Sequence, residues 1–470
     1  MKVLFLNPPL GREAVKNPVM KYLFANSMPL GIGYLAAVIL QRGEQAAIID
    51  AAAEQLTIPQ TLERIKAEKP DMVALTSHTN SFAEAQLLAG ELKKVSPGLP
   101  VILGGVHLTC LPQQAMASGY FDYGVIGEGE LTFPELAETL ARGEKPDQVA
   151  GICYPQDGNL VFTVPREFIP DLDVLPFPAR HLFKSRLYSS IPHDVRYLPK
   201  FTMVPTRGCP FQCIFCTSAT TGSRFRTFSP QYMVAEIEHL IKDFGAKEIA
   251  FTTTTFTADQ KKSEEFLDLL LEKHLKIAWT VSSRVDTLTR PMLAKMKKSG
   301  CWCLRIGVES GNSQVLDFIR KKISLEQVRR VAQWCEELDI HLKAFFIIGH
   351  LIDTEASIRD SIEFALSAPL GDITVQYNTP IPGTPQYEMA KDYGELKPDW
   401  SIYHYWDPVF IPSGMTEVDL ISLHHEFYRR FYSRFSTLKK HIKKIFHWQS
   451  LVHYLKSLDL FFYLISQGKK

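Results

Sequence analysis

Three of the chain's eight cysteines stand within eight residues of one another: Cys209, Cys213 and Cys216 in "TRGCPFQCIFCTSA", spaced Cys-x3-Cys-x2-Cys. Thiols this close in a chain without a disulfide framework point to a metal site. A structural zinc ion takes four ligands, usually as two pairs, and the nearest histidine, His193, lies sixteen residues upstream. Three thiolates on a 4Fe-4S cluster would instead leave one iron open to a ligand that is not protein. The bland alternative is a chance group of buried thiols. It is disfavoured because the run follows an apolar β-like segment and precedes a loop.

The elements around the trio must present it. From residue 201 onward the expected strands are 201–206, 248–253, 277–282, 303–309, 341–348 and 373–378, separated by helical patterns. Ser229 and Pro230 mark one helix start, with Met233, Ile237, Leu240, Ile241 and Phe244 at helical spacing. Ser324 and Gln327 form a capping box for another. Six β/α units fit a partial barrel, whose active site lies at the carboxyl ends of its strands. Glu309 and His350 fall at such ends. Cys303 shares strand parity with Arg305, Gly307 and Glu309, which directs it to the barrel interior.

Residues 1–150 show a similar rhythm: "KVLFLN", "AAIID", "MVALTS", "PVILGG" and "YGVIGEGE" alternate with helical stretches. This reads as a parallel α/β sheet, with ligands beyond the strands' carboxyl ends. Thr76, Ser77, Gly104, Gly105, His107, Thr109 and Glu128 fall in those tips. Residues 151–198, with "DLDVLPFPAR", read as a linker.

At 470 residues the chain is long enough for two or three domains. A net charge of +1 argues against nucleic acid as partner. That average hides a basic tail, with ten Lys and Arg against two acids from Glu426 to Lys470, leaving about −7 for the rest. No apolar run reaches the roughly 18 residues of a membrane span. The N-terminus reads as a first strand rather than a signal peptide, so a cytoplasmic location is expected.

Cys209-x3-Cys213-x-Phe215-Cys216 resembles the signature of radical S-adenosylmethionine (SAM) enzymes. Residues 284–316, "NTPIPGTPQY" at 378–387, "PLGIGYLAA" at 29–37, "LGGVHLT" at 103–109, "GEGELTFPEL" at 127–136 and the linker are similar to the subgroup with an N-terminal cobalamin-binding domain. This group includes cobalamin-dependent methylases and the anaerobic magnesium-protoporphyrin IX monomethyl ester cyclase. The similarity covers about residues 1–412.

The resemblance implies an α/β fold: a Rossmann-like sheet of cobalamin-binding type (1–150), a linker (151–198), a partial (β/α)6 radical SAM barrel (199–412) and a helical tail (413–470). It implies that Cys209, Cys213 and Cys216 ligate a 4Fe-4S cluster, and that SAM fills the open iron and is cleaved to a 5′-deoxyadenosyl radical. Glu309 would reach the SAM ribose, the alternative being a surface carboxylate. Phe215 would pack near the adenine, or serve as a structural aromatic. Cobalamin would lie on Thr76, Ser77, Gly104, Gly105, His107, Thr109 and Glu128, unless the domain is vestigial.

The sequence departs from the family pattern in three places. Where relatives carry "FxDDxFT", this chain has "FTTTTFT", so Thr253 and Thr254 replace two acids that could pair with a cationic amine of SAM or substrate. The usual "GxPGET" is "GHLIDT", which introduces His350, a candidate for proton transfer or a structural histidine. The first domain lacks the Asp-x-His-x-x-Gly segment that supplies a lower cobalt ligand. Cys303 is a candidate hydrogen donor beside a radical, or a small buried hydrophobe.

In the tail, Phe427, Phe431, Phe435, Leu438, Ile442 and Ile445 recur at helical spacing, flanked by Arg429, Arg430, Lys439, Lys440, Lys443 and Lys444. Such a helix can pack on the barrel with a solvated cationic face. It can also make peripheral contact with an anionic membrane, a reading favoured by a lipid or tetrapyrrole substrate.

The sequence thus predicts an enzyme that methylates an unactivated carbon of a small molecule, fed by an electron donor such as flavodoxin or ferredoxin. The rivals are a cyclase or rearrangement enzyme with the same cofactors, and a non-catalytic iron-sulfur or corrinoid-binding protein.

Overall fold

The computed structural model describes residues 1–11, 27–188, 195–217 and 224–434. The chain divides into two compact units, Met1–Ser189 with Asp399–Tyr403, and Ser190–Pro398 with His404–Lys470.

The first unit is built on a seven-stranded sheet: β1 (Lys2–Asn7), β2 (Gln45–Asp50), β3 (Met72–Thr76), β4 (Val101–Gly104), β5 (Tyr123–Val125), β6 (Ile152–Gln156) and β7 (Asn159–Phe162), in the order β2-β1-β3-β4-β5-β6-β7. The first five are parallel, while β6 and β7 add an antiparallel hairpin. The sheet therefore runs past residue 150 into the segment read from sequence as linker. Short strands with Pro155 and the half-buried positions of β7 carry little apolar signal. Leu4, Leu6, Val73, Leu75, Val101 and Leu103 form the core with Leu88 and Leu92 of the helix Phe82–Val95. The rest of the linker also packs here: Ala179 N–H donates to the Gly33 carbonyl at 3.0 Å, and Leu172, Leu175 and Phe183 are buried. Strand order reverses between β1 and β3, and in such sheets the ligand crevice opens there, beyond the carboxyl ends.

In the second unit six parallel strands follow one another in sequence order: β8 (Lys200–Met203), β11 (Glu248–Phe251), β12 (Ala278–Ser283), β13 (Cys301–Glu309), β14 (His341–Ile348) and β15 (Asp372–Tyr377). Between β8 and β11, two short strands β9 (Thr206–Arg207) and β10 (Arg226–Thr227) pair antiparallel, and β16 (Gly394–Leu396) pairs with β17 (Phe410–Pro412). The helix Pro230–Phe244 begins where Ser229 Oγ accepts from Tyr232 N–H and ends at Gly245, whose φ of 65° suits a glycine. Its Met233, Ile237 and Leu240 face inward, as their spacing requires. Ser324 and Gln327 form the expected capping box. Phe251, Phe266 and Trp279 meet edge to face at centroid distances of 5.6 to 6.4 Å, pinning the helix Gln260–Glu272 to β11 and β12. Such aromatic pairs add about 0.5–1.5 kcal/mol each beyond area burial.

The helix Glu417–Tyr432 buries Leu420, Leu423, Phe427 and Phe431, and Val375 N–H donates to Tyr428 Oη at 2.9 Å. Thus Phe427 and Phe431 are spent on barrel packing rather than on a membrane. Phe435, Leu438, Lys439, Lys440, Ile442, Lys443, Lys444 and Ile445 lie outside the described residues. Among the described residues no helix is long and apolar enough to cross a membrane.

Candidate active site

After β9 the chain turns at Gly208, with φ +74°, into the cysteine loop. Cys209 and Cys213 are buried and Cys216 is half-buried; none of the three is paired in a disulfide. The loop is fastened by its backbone: Cys216 N–H donates to the Cys213 carbonyl at 3.2 Å, Ile214 N–H to that of Ile319 at 3.2 Å, and Gln386 N–H to that of Ile214 at 3.1 Å. Gln386 belongs to the "NTPIPGTPQY" segment, which gives that motif a local task. Among the described residues no three His, Cys, Asp or Glu side chains converge on a point that would hold a single metal ion.

Two buried cations lie against the loop. Arg284, after β12, points Nη1 at Cys213 Sγ across 3.7 Å, with its guanidinium 3.8 Å from the Phe211 ring centroid. Lys321 Nζ bonds Glu309 Oε1 at 2.6 Å. Burial pushes the Cys213 thiol up, and Lys321 and Arg284 pull against that shift. No local pattern assigns Arg284 or Lys321 a place at the site, because both act across chain distance.

Glu309 closes β13 at a bulge, with φ +68°, a backbone region disfavoured for a side chain of its size. A Cβ at Gly307 would come within 2.1 Å of Glu309 Oε1 and 2.8 Å of Lys321 Nζ, so any side chain there would displace the ends of both partners of the ion pair. Cys303 pairs with Thr280 and His341 near the opposite end of β13. Six residues at roughly 3.3 Å each put it about 20 Å from Glu309. The strand does not bring Cys303 to the site.

His350 follows Gly349 at the end of β14. It is fully buried, its ring edge to face with Phe215 at 5.9 Å, and neither ring nitrogen has a hydrogen-bond partner among the described residues. Burial, with Lys321 nearby, lowers its pKa to about 3, so the ring is neutral. Its backbone N–H donates to Asp353 Oδ2 at 2.8 Å, and burial raises that carboxyl to about 6. Thr253 and Thr254 both turn toward the cysteine loop: Thr253 Oγ1 lies 2.5 Å from Thr206 Oγ1, and Thr254 Oγ1 donates to the Gly208 carbonyl at 3.1 Å. Hydroxyls in place of acids tie β11 to the loop's entry.

In the first unit the predicted tips do gather. Gly105 has φ +101°, and a Cβ there would lie 2.5 Å from the Ser77 carbonyl oxygen. Ser77 N–H donates to the Gly104 carbonyl at 3.0 Å, at the end of the Thr76↔Gly104 register. Thr109 Oγ1 donates to the Gly105 carbonyl at 3.0 Å and accepts from Gly127 N–H at 3.1 Å, beside Glu128, whose Oε2 accepts from Ile169 N–H at 3.1 Å. His107 turns inward instead: it is fully buried, stacked on Phe82 at 4.1 Å and edge-on to Trp400 at 6.0 Å. Burial lowers its pKa to about 4. Among the described residues the buried Ser77 Oγ and His107 Nε2 have no hydrogen-bond partner, and a Cβ at Gly104 would meet nothing closer than the Leu75 carbonyl oxygen at 3.9 Å, which leaves room beside it. That combination fits a polar ligand lying on the carboxyl edge, and the three cysteines of one loop fit an iron-sulfur cluster.

A family model described as the Radical SAM superfamily matches residues 203–365, and one described as a B12 binding domain matches residues 19–137. An uncharacterized methyltransferase of Pyrococcus horikoshii is 31% identical over 447 residues, 94% of this chain and 95% of that protein. The chain belongs to the B12-binding radical SAM enzymes. As such an enzyme it uses a 4Fe-4S cluster, SAM and cobalamin. The anaerobic magnesium-protoporphyrin IX monomethyl ester cyclase of Rubrivivax gelatinosus is 28% identical over 92% of this radical SAM enzyme and 77% of its own length. The radical SAM methyltransferase TsrM of Kitasatospora setae, solved with cobalamin and a [4Fe-4S] cluster, shares the fold with a TM-score of 0.72 at 15% identity, over 91% of this chain and 88% of that one.

Proposed function

We propose that this radical SAM enzyme methylates an unactivated carbon of a small molecule, and that its site residues divide the work as follows. The observation that carries this reading is the match to a methyltransferase over nearly the whole of both chains, joined to a three-thiol loop that leaves a fourth cluster ligand to be supplied. When bound, the cluster supplies the electron that cleaves SAM, SAM the hydrogen-abstracting radical, and cobalamin the methyl group. Cys209, Cys213 and Cys216 would hold three irons of the cluster. Glu309, fixed by Lys321, would bind the SAM ribose, and Phe215, backed by His350, would offer a ring to the adenine. Thr253 and Thr254 steady the loop entry and leave the SAM amine without a carboxylate partner from that strand. Thr76, Ser77, Gly104, Gly105, Thr109 and Glu128 form the corrinoid edge, with His107 supporting it from behind.

The neutral His350 could move a proton only after gaining a partner, so its part here is packing. A low-potential one-electron donor such as ferredoxin or flavodoxin, in the cytoplasm, suits the cluster. Tetrapyrroles and lipids are the substrate classes to search first, the former in view of the cyclase relative. Cyclisation is the second reading on the same ground. Anaerobic incubation with trideuteromethyl SAM separates the two: label in the product supports methylation, while an unlabelled, oxidised or ring-closed product supports the cyclase reading.

A further inference from the structure

Arg284 is held by three residues. Its Nε and Nη2 meet the two oxygens of Asp286 at 3.0 and 2.8 Å, Nη2 also donates to the Lys321 carbonyl at 2.7 Å, and the Phe211 ring stacks on the guanidinium at 3.8 Å. Only Nη1 remains, and it is aimed at Cys213 Sγ. The side chain of Arg284 is 6% exposed against 21% for Asp286, so water screens the anion more than the cation. A planar, permanently charged donor is thereby fixed beside one thiol, in a place that lysine's single nitrogen could not serve in the same way.

We infer that Arg284 is a positioning residue that fixes the Cys213 corner of the cluster loop and raises the reduction potential of the cluster held there. This rests on the cluster reading above. Reduction takes one electron from an external one-electron donor, and no bond is made or broken. Added negative charge in a buried site is favoured by a nearby cation and by an N–H···S contact to a ligating sulfur, both of which move iron-sulfur potentials upward. Asp286 opposes the effect by partly neutralising Arg284. The two residues should therefore act with opposite signs, which a merely structural role would not produce.

The test is an EPR-monitored redox titration of the reconstituted full-length protein, with iron counted per chain, for wild type, Arg284→Gln, Arg284→Lys and Asp286→Asn. The expected result is a midpoint shifted negative in Arg284→Gln, positive in Asp286→Asn and between wild type and Arg284→Gln in Arg284→Lys, which keeps the charge and loses the fixed N–H···S contact. Loss of iron in Arg284→Gln alone supports the positioning role, and the other two variants then carry the sign test. Unchanged midpoints with iron retained, or shifts of the same sign in the Gln and Asn variants, would overturn the inference while leaving the cluster intact. A wild-type protein that takes up no cluster would instead overturn the reading on which it rests.

Discussion

Lys321 Nζ lies 2.6 Å from Glu309 Oε1, with the two side chains 7% and 9% exposed and both polar ends lying against the α-carbon of Gly307. Removing one partner of a buried pair strands the other charge, at a cost of about 3–5 kcal/mol. Lys321→Met should therefore destabilise the protein by about that much in urea unfolding. Glu309→Gln in the same chain should recover most of the loss. Equal stability of single and double variants would mean the pair is not coupled.

Glycines define two further expectations. Gly307→Ala places a methyl 2.1 Å from the present position of Glu309 Oε1, pushing that carboxylate aside, and should weaken SAM binding by about tenfold, about 1.4 kcal/mol. Equilibrium binding to the reconstituted protein measures this, and unchanged affinity would remove Glu309 from the SAM site.

Gly105→Ala forces an L side chain to φ +101° against the Ser77 backbone, a strain of about 1–3 kcal/mol. The variant should lose bound corrinoid, visible in its absorption spectrum after desalting. Retention at wild-type stoichiometry would place the corrinoid elsewhere.

Cys213→Ala deletes the thiol that Arg284 faces. The brown chromophore and the iron content should both fall to background while the far-UV circular dichroism stays unchanged. A full 4Fe-4S spectrum in this variant would end its assignment as a ligand.

His424 tests the packing of the C-terminal helix. It is buried against β15, with Nε2 3.1 Å from the Val375 carbonyl oxygen, and burial lowers its pKa to about 4. An unfolded chain protonates this ring near its ordinary value of 6.5 and the folded one does not. Stability is thus fully present above pH 6.5 and is lost as pH falls toward 4. At about pH 5 the loss is about 2 kcal/mol. In His424→Gln the acid-side decline should shrink by that amount, and a pH profile parallel to wild type would contradict it.

The sequence made the cysteine trio, the caps at Ser229 and Ser324 and the glycine pair at 104–105 legible, because each is a local pattern with its own physical signature. Arg284 and Lys321 were not legible: Arg284 meets Cys213 across 71 positions, and Lys321 reaches Glu309 only through a bulge that no propensity foretells. The strand-end address of His107 suggests a corrinoid contact. Its inward turn depends on Phe82 and on Trp400, which comes from a segment far along the chain. Thr253 and Thr254 stood out as missing charges, whereas their bonds to Thr206 and Gly208 depend on how β9 approaches β11.

The most direct test of the whole account is anaerobic turnover of the reconstituted enzyme with SAM, a one-electron reductant and hydroxocobalamin, quantifying 5′-deoxyadenosine and S-adenosylhomocysteine by mass spectrometry. The account predicts that both form, and that neither forms in Cys213→Ala. An intact cluster and bound cobalamin with neither product, in the presence of tetrapyrrole and lipid candidates, would contradict it.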